Sequence, residues 1–415
     1  MNALTLPIPP TFLSSVRRPS LLSRQKKATR KPSTTPSRPA VADARRVVIK
    51  LGTRVLVDED RRLAGKRLQR LVRAVAREWA AGREVMLVSS GAFGLGWTTL
   101  GLEEAPEDPS ARRACAAIGQ TQLVSLYQRA FARHGLLCAQ LLVTEEDFDH
   151  RARYLDLRST LDHLLRSGIV PILNENDAVV HGTMPKLASG RSVFTDNDRL
   201  AALVASKCDA DLLILLTDVD GVYDRNPKQH ADAKVLERLD DSSEVLQQLE
   251  DAPGSGSSRG GMRSKVEAAR VAAFGGAHVV IASGRDPSAL EAALQGDGAG
   301  TWLPAIASLP ARRRWIGFAA ATKGVLHIDQ GAVEALCERR ASLLHVGVSK
   351  VEGDFERGDV IELRGPDHTL IARGLMSWNA AETRRWVAEG RPPRGLDGRE
   401  ATCLLRRTHV VMMDR

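Results

Sequence analysis

The sequence predicts an α/β protein, with a three-layer αβα sandwich around a mostly parallel sheet and then a small β-rich domain. Apolar strand patterns alternate with amphipathic helix patterns from residue 46 to about residue 302, as in a sheet covered by helices. The runs EVMLV and DLLILL are apolar throughout, as expected for parallel strands buried on both faces. Beyond residue 312, short alternating runs separated by Gly, Asp and Pro predict a second domain built mainly of strands.

The predicted elements of the first domain follow one another in a regular order. We expect strands at 47–51, 84–88, 138–143, 169–173, 211–216 and 278–282, and helices at 66–80, 111–133, 151–167, 198–207 and 262–274. In the first of these helices the apolar residues fall on one stripe, and Gly82 follows as a stop signal. The chain is therefore divided into an extension (1–45), an α/β domain (46–302) and a β-rich domain (312–415).

The positive charge of the chain is concentrated at its beginning. The net charge is +9, but residues 1–42 contain eight Lys or Arg and no acidic residue, so the remaining chain is nearly neutral. A neutral body argues against a nucleic-acid-binding surface. The Ser-, Pro- and Arg-rich beginning resembles an organelle transit peptide, and its prolines favour a plastid over a mitochondrion. The alternative is a disordered basic tail on a cytoplasmic protein.

Residue spacing argues against several other kinds of site. The five cysteines are scattered without metal-ligand spacing, which argues against a zinc site or a disulfide framework. No apolar run approaches the roughly 18–20 residues needed to span a membrane. The sequence contains no GxxxxGK[ST], no GxGxxG after a strand and no HExxH, so P-loop kinases, Rossmann dehydrogenases and zincins are unsupported.

Polar or glycine-bearing loops follow four of the predicted strands. They begin at Lys50, Ser89, Asn174 and Thr217. Ligands of open parallel sheets bind beyond the carboxyl ends of the strands, so these four loops predict a binding cleft. A lysine is rarely buried without a partner, and we therefore interpret Lys50 as facing an anion in that cleft.

Glycines in two of these loops suit an anionic ligand, and two stretches at helix starts offer further groups for ligand binding. Gly52 and Gly91 allow backbone N–H groups to approach an anion, although a tight turn alone also explains either glycine. Residues 196–198 (Asp-Asn-Asp) begin a helix, where capping needs only one of the three side chains. The stretch GGMRSK (260–265) is either a phosphate cradle or a flexible linker that ends in a helix.

Six stretches together resemble a known family. In chain order they are VVIKLGTRVL, VSSGA, ILNENDAVV, TDNDRLAALVA, LLTDVDGVYDRNP and GGMRSKVEAA. They resemble the amino-acid kinase superfamily and, within it, the glutamate 5-kinases. The later stretches KGVLHIDQGAVEAL and SLLHVGVSKVEGDFERGDVI look like the PUA module of the same enzymes. The resemblance covers about residues 46–415 and implies an amino-acid kinase fold with a PUA-like C-terminal domain.

The resemblance also implies roles for individual residues. Lys50 and Lys265 would contact the transferring phosphoryl group, and Asp198 would orient both lysines. The residues implied for substrate binding are Ser90, Gly91, Asn174, Asp177 and Asn197. The residues implied for ATP binding are Lys50, Gly52, Thr217, Asp218, Arg259, Gly260, Gly261, Met262, Arg263, Ser264 and Lys265. No residue is assigned to a metal.

The activity implied by the resemblance is ATP-dependent phosphorylation of the side-chain carboxylate of L-glutamate. The product would be L-glutamyl 5-phosphate, the first intermediate of proline biosynthesis. Mg²⁺ would accompany ATP, and proline would act as a feedback inhibitor. The chain would form a dimer or tetramer and pass its product to glutamyl phosphate reductase, and neither a membrane nor a nucleic acid is expected as a partner.

Two alternatives and two departures from the family pattern accompany this interpretation. The alternatives are another carboxylate kinase of the same superfamily and an RNA-binding protein that uses its PUA-like module. Arg259 stands where the family often has a small hydroxyl residue, which affects the expected nucleotide contacts. The segment HGTMPKLASGRSVF (181–194) is long for the loop beside the substrate, which affects the expected affinity for glutamate.

Overall fold

The computed structural model contains two sheets, one in each predicted domain. It describes residues 38–56, 65–179, 197–227, 229–240, 261–286, 288–306, 316–317, 322–339, 341–390, 392 and 402–413. The expectations for residues 1–37, for the 181–194 loop and for Arg259 and Gly260 lie outside these ranges.

A seven-stranded sheet forms the centre of the first domain. Its strands are β1 (Arg46–Leu51), β2 (Glu84–Ser89), β3 (Leu137–Val143), β4 (Ile169–Glu175), β5 (Leu212–Thr217), β6 (His278–Ser283) and β7 (Thr301–Leu303). The spatial order is β3-β4-β2-β1-β5-β6-β7, and every neighbouring pair is parallel except β6 and β7. The prediction of a mostly parallel sheet is confirmed, and β7 is an antiparallel edge strand that its short sequence did not indicate.

Helices cover both faces of this sheet. They are α1 (Pro39–Ala42), α2 (Thr53–Leu56), α3 (Gly65–Ala80), α4 (Ala92–Thr99), α5 (Pro109–Ala132), α6 (Glu145–Asp149), α7 (Arg151–Arg166), α8 (Asn197–Lys207), α9 (Met262–Phe274) and α10 (Ala289–Gln295). Alternate residues of each strand enter opposite cores: Val48 packs with α8 and α9, whereas Val47 and Ile49 pack with α3 and α5. The two cores make the three-layer sandwich that the sequence predicts.

The packed first domain begins earlier than residue 46, where the sequence analysis placed its boundary. Val41, in α1, is fully buried in the core that contains α3 and α10. The Arg38 guanidinium donates to the backbone carbonyls of Ala299, Glu237 and Gly300 at 2.9–3.0 Å. Residues 38–45 therefore belong to the folded domain rather than to the extension, because burial and hydrogen bonds tie them to the sheet's far edge.

A five-stranded sheet forms the second domain. Its strands are β8 (Thr322–Ile328), β9 (Val348–Gly353), β10 (Val360–Arg364), β11 (Leu370–Leu375) and β12 (Val410–Met412), in the order β12-β11-β10-β8-β9. Helices α11 (Gln330–Cys337) and α12 (Ala380–Glu389) pack against the same core. The predicted β-rich domain is thus confirmed, with two helices added.

The two domains contact each other at the end of α9. Ile316, Val360 and Val411 form a small buried cluster, and Val271 and Phe274 of α9 pack against it. The helix that begins at the predicted nucleotide loop therefore ends against the C-terminal domain. Among the described residues, no helix is both long and apolar enough to cross a membrane.

Candidate active site

Four neighbouring strands end side by side and present the polar loops that the sequence analysis singled out. Lys50 lies near the end of β1, and Ser90 directly follows β2, whose Ser89 pairs in register with Leu51. Asn174 and Thr217 lie at the ends of β4 and β5, on either side of that pair in the sheet. The expected cleft edge is therefore assembled from strands far apart in the sequence.

Two buried lysines share one buried carboxylate at this edge. Lys50 Nζ lies 2.6 Å from Asp198 Oδ1, and Lys265 Nζ lies 3.3 Å from Asp198 Oδ2. All three residues are at most 9% exposed, with Asp198 at 1%. Burying charged groups is costly unless they are paired, so this arrangement is favourable only because the carboxylate lies between the ammonium groups. It also concentrates positive charge where an anion can bind.

The first residues of α8 and α9 deliver two of these side chains. Asn197 and Asp198 begin α8, and Lys265 lies in the first turn of α9, which starts at Met262 after Gly261. The backbone N–H of Lys265 donates to Gly261 O at 3.3 Å, and Ser264 Oγ donates to the same carbonyl at 2.9 Å. The start of α9 is thus locally hydrogen-bonded, which fixes the direction of its first-turn lysine.

A cluster of amide and hydroxyl groups lies next to the lysine pair. Asn197 Nδ2 donates to Ser90 Oγ at 2.8 Å, to Asn174 Oδ1 at 3.1 Å and to Ser89 O at 3.3 Å. Asn174 is 1% exposed, and Ser90 is 9% exposed. The structure therefore brings together three of the side chains predicted to bind substrate.

The other two residues predicted to bind substrate flank this cluster in the chain. Gly91 has φ +104° and precedes α4, a left-handed conformation that glycine adopts without strain. The turn that Gly91 allows lets α4 begin at Ala92, only two residues after Ser90. Asp177 lies in the turn after β4 and is half-buried. The segment that follows from 180 to 196 is outside the described residues.

Three of the predicted nucleotide residues, Gly52, Thr217 and Asp218, lie at the ends of β1 and β5. Thr217 is buried, and its hydroxyl lies 3.2 Å from Asp218 Oδ1, while Gly52 N donates to Leu216 O at 3.4 Å. Arg54 Nη1 lies 2.8 Å from Asp218 Oδ2. Burial alone would raise the pKa of the Asp218 carboxyl, but the hydrogen bonds from Arg54, the backbone and Thr217, together with the charge of Arg54, outweigh burial and the pKa lies below its ordinary value. Arg54 was not predicted, although it lies in the first quoted motif.

Among the predicted nucleotide residues that the structure describes, Arg263 is the most exposed. Its Nε lies 3.1 Å from Glu267 Oε1, an i,i+4 pair in which both side chains are 46% exposed. Such surface pairs contribute little to stability and are readily rearranged.

Helix α5 also reaches the site, which the sequence analysis did not predict. Asn174 Nδ2 donates to Gln120 Oε1 at 2.8 Å, and Tyr127 Oη lies 2.9 Å from Ser89 Oγ. Both residues are buried. No sequence pattern distinguishes them from ordinary helix residues, because their contacts depend on how α5 packs.

Two cysteines of the α/β domain have thiols that are less acidic than an ordinary cysteine. Burial raises the pKa of Cys138 to about 11 and that of Cys208 to about 12, so neither thiol is an activated nucleophile. Within the described ranges there is no group of three His, Cys, Asp or Glu side chains placed to hold a metal.

Comparison with known families assigns the class of protein. A model of the amino acid kinase family matches residues 45–283, and a PUA domain model matches residues 324–389. The first match covers more than half of the chain and contains the whole cleft edge. The chain therefore belongs to the amino acid kinase family.

Curated relatives narrow this assignment. The chain is 44% identical over 354 residues to a glutamate 5-kinase of Thioalkalivibrio sulfidiphilus, covering 85% of this chain and 92% of the relative. It is 42% identical over 355 residues to a glutamate 5-kinase of Myxococcus xanthus, covering 85% and 92%. A glutamate 5-kinase of Moorella thermoacetica is 42% identical over 347 residues, covering 83% and 90%. Within the amino acid kinase family, the chain is a member of the glutamate 5-kinases.

Proposed function

We propose that this chain transfers the γ-phosphoryl group of ATP to the side-chain carboxylate of L-glutamate, forming L-glutamyl 5-phosphate. The observation that carries the proposal is the contact of Asp198 with both Lys50 and Lys265, beside the Asn197, Asn174 and Ser90 cluster. The lysines suit a phosphoryl group, and the amide cluster suits a polar amino acid. The similarity to glutamate 5-kinases over most of the chain selects glutamate as that amino acid.

Charge neutralisation is the main chemical task of this site. ATP and the glutamate carboxylate are both anions, and phosphoryl transfer depends on positioning and electrostatic stabilisation more than on covalent help. Lys50 and Lys265, held by Asp198, supply positive charge from two sides of the cleft edge. No general base is needed, because the attacking carboxylate is already ionised near pH 7.

Mg²⁺ enters this proposal as part of the substrate MgATP. Magnesium prefers phosphate oxygens, water and one or two carboxylates, so the protein needs few ligands of its own. Two described carboxylates of the site are engaged by cationic side chains: Asp198 contacts two lysines, and Asp218 contacts Arg54. This arrangement suits a metal that is held mainly by the ATP phosphates.

The biological setting follows from the same proposal. An acyl phosphate is labile in water, which favours hand-off to a glutamyl phosphate reductase and control by proline as the end product. We also propose a homo-oligomer and import into a plastid, the latter because residues 1–42 are rich in Ser, Pro and basic residues and lack acidic ones.

The test is an acyl phosphate assay on the full chain. With ATP, Mg²⁺ and hydroxylamine, L-glutamate should yield the hydroxamate and ADP in equal amounts. L-aspartate, N-acetyl-L-glutamate and carbamate, offered at the same concentration, should yield little of either product. Preferential turnover of N-acetyl-L-glutamate or another carboxylate would mean that this compound, and not glutamate, is the substrate. Formation of ADP without hydroxamate would contradict carboxyl phosphorylation.

A further inference from the structure

Hydrogen bonds fix the direction of the Asn174 side-chain amide. The backbone N–H of Glu175 donates to Asn174 Oδ1 at 2.9 Å, and a backbone N–H can only donate. The atom that accepts this bond must be the oxygen, so Asn174 Nδ2 points to Gln120 and donates to Gln120 Oε1 at 2.8 Å. Gln120 must therefore turn its own oxygen toward Asn174.

The same reasoning fixes the Asn197 amide. Asn174 Oδ1 also accepts from Asn197 Nδ2 at 3.1 Å, and Asn197 Nδ2 donates in addition to the backbone carbonyl of Ser89. A carbonyl only accepts, so the nitrogen of Asn197 faces inward and Oδ1 is its remaining polar atom. Asn174 thus supports the Asn197 amide through its oxygen, and Gln120 supports Asn174 by accepting from its nitrogen.

Two polar atoms of these linked amides lack a hydrogen-bond partner within the described ranges. Gln120 Nε2 and Asn197 Oδ1 are buried, and neither has a partner among the described residues. Gln120 as a whole is 8% exposed. An unsatisfied buried polar atom is costly, and such atoms are rare in folded proteins. Asn197 Oδ1 is an acceptor, which an ammonium group of a ligand can satisfy.

Close packing at Gly119, the residue before Gln120 in α5, holds Gln120 in place. Gly119 lies so close to α4 that a Cβ on it would be 1.8 Å from Ala92 O. Farther along α5, the Tyr127 hydroxyl meets Ser89 Oγ at 2.9 Å. Gln120 is therefore carried by a helix that contacts both α4 and the end of β2, which limits how far its side chain can shift.

We infer that Gln120 is a positioning residue for the amino group of the substrate. Its carbonyl oxygen holds Asn174, and Asn174 in turn holds Asn197 with Oδ1 free to accept a hydrogen bond from the α-ammonium group. This inference rests on the proposed function, because it takes an amino acid as the ligand. In this role Gln120 contributes to the selectivity of the site for the α-amino group, and it does not contact the reacting atoms.

The test compares glutamate with glutarate, which lacks the amino group, on full-length variants. Gln120→Met removes the acceptor and leaves the buried Asn174 Nδ2 unsatisfied, so KM for glutamate should rise about 10- to 100-fold. The kcat and the KM for ATP should change less than about threefold. The inhibition constant of glutarate against glutamate should stay within about threefold, because glutarate has no ammonium group. Gln120→Glu keeps an acceptor oxygen toward Asn174 and should restore KM to within about fivefold of the parent.

Control variants and other outcomes separate this role from a purely structural one. Gln128 is exposed on the same helix, and Gln128→Met should leave every constant unchanged. A purely structural role would raise the glutarate constant and the KM for ATP together with that for glutamate, and this result would overturn the inference. If Gln120→Met does not fold, Gln120→Asn, whose shorter side chain cannot reach Asn174, carries the same expectation.

The activity of the parent protein distinguishes failure of this inference from failure of the proposed function. An active parent with an unchanged KM for glutamate in both Gln120→Met and Gln120→Asn would overturn the inference alone. A parent that forms no acyl phosphate from glutamate would overturn the proposed function, and the inference with it.

Discussion

Asp198 contacts the ammonium groups of both Lys50 and Lys265, although the three residues lie in three different elements. Two buried ammonium groups that contact the same carboxylate would repel each other if that carboxylate were removed. Asp198 therefore determines how close the lysines can lie, and so the space left for a phosphoryl group.

Lys265→Met should lower kcat far more than it changes the KM for glutamate. Methionine keeps much of the bulk of the side chain but removes the charge that faces the developing charge of the transition state. Loss of one preorganised donor of this kind costs about 10²–10³-fold in kcat. Steady-state hydroxamate kinetics measure it, with circular dichroism to verify folding.

The matched control is Lys66→Met on the exposed surface of α3, which should turn over like the parent. If Lys265→Met also turns over like the parent, Lys265 is only a first-turn helix residue. Its loss would then change stability by no more than about 0.5 kcal/mol.

His278 should make the protein less stable below neutral pH. Its Nδ1 accepts from the Ala305 N–H at 3.0 Å, and burial lowers the pKa of the imidazole although Asp211 opposes the shift. Above about pH 6.5 the ring is neutral in both states and adds no pH dependence. As pH falls through 6.5 the unfolded chain takes up the proton first, so the free energy of unfolding decreases until the folded pKa is passed.

Urea unfolding at pH 7.5 and at pH 5.5 measures this effect against His278→Asn, which keeps an acceptor but does not titrate. The parent should lose more stability than the variant between the two pH values. The difference should stay below about 1.4 kcal/mol per pH unit, the value for a whole proton, because the ring is still partly screened by water. Equal losses in the two proteins would exclude His278 as the titrating group.

At the scale of elements, the close contact of α4 and α5 orders the site. A Cβ on Gly96 would lie 1.7 Å from Cys115 O, and one on Gly119 would lie 1.8 Å from Ala92 O. Glycine at both positions lets the helix backbones touch. This contact brings Gln120 and Tyr127 to the ends of β4 and β2.

Gly119→Ala should therefore destabilise the protein and weaken glutamate binding. The added methyl group meets backbone rather than a flexible side chain, so the helices must separate, at a cost of about 1–3 kcal/mol or more. Displacing α5 also displaces Gln120, and the KM for glutamate should rise. Chemical denaturation and steady-state kinetics measure the two effects.

Gly94→Ala is the matched control, because Gly94 lies in α4 with nothing within 4 Å of an added Cβ. It should be neutral or stabilising by up to about 1 kcal/mol, since alanine is the better helix former. Equal stabilities of the two variants would mean that α4 and α5 can separate without cost.

Sequence periodicity predicted the long elements well and the short ones poorly. The strands and helices with strong apolar patterns, such as β5 and α9, begin and end within one or two residues of their expected bounds. The shorter α4, α6, α10 and β7 were not predicted, because few residues carry their pattern.

Gln120 was missed for a different reason. A glutamine in a helix usually faces solvent, and only the Gly119 contact makes it a site residue.

The catalytic cluster was predicted through motifs rather than geometry. No spacing rule brings Lys50, Asp198 and Lys265 together, since Lys50 is separated from both of the others by more than half of the α/β domain. The position of Lys50 at a strand end indicated an anion site, and the family resemblance supplied the other two residues. The assigned roles remain predictions that the variants above test.

At the scale of the whole molecule, the chain is tied together at both ends of the α/β domain. The beginning is held by Arg38 and Val41, which reach the β7 edge and the α10 core. The other end is held where α9 meets the C-terminal domain. Truncations at these two places therefore have different expected consequences.

A chain starting at Arg38 should be more stable than one starting at Arg45. The shorter chain loses the fully buried Val41, worth about 1.5–3 kcal/mol, together with the Arg38 hydrogen bonds. Both chains should phosphorylate glutamate at low temperature, because the cleft edge is intact. Urea denaturation compares them, and equal midpoints would show that α1 does not contribute to the stability of the sheet. This expectation replaces the sequence-based one, in which the extension continued to residue 45.

A chain ending at Leu309 should still phosphorylate glutamate, because Lys50, Asp198 and Lys265 all precede that point. It should be less stable and less soluble, since Val271 and Phe274 lose the cluster that covers them. Phe274 is only partly buried, so it contributes about 1 kcal/mol to the free energy of unfolding, or about 2–4 °C to the thermal midpoint.

Phe274→Ala in the full chain isolates that contribution and should lower the thermal midpoint without lowering kcat. Hydroxamate kinetics and thermal unfolding measure both proteins. A truncated chain that is folded and soluble but inactive would mean that the C-terminal domain, acting through α9, is needed to hold Lys265 at Asp198.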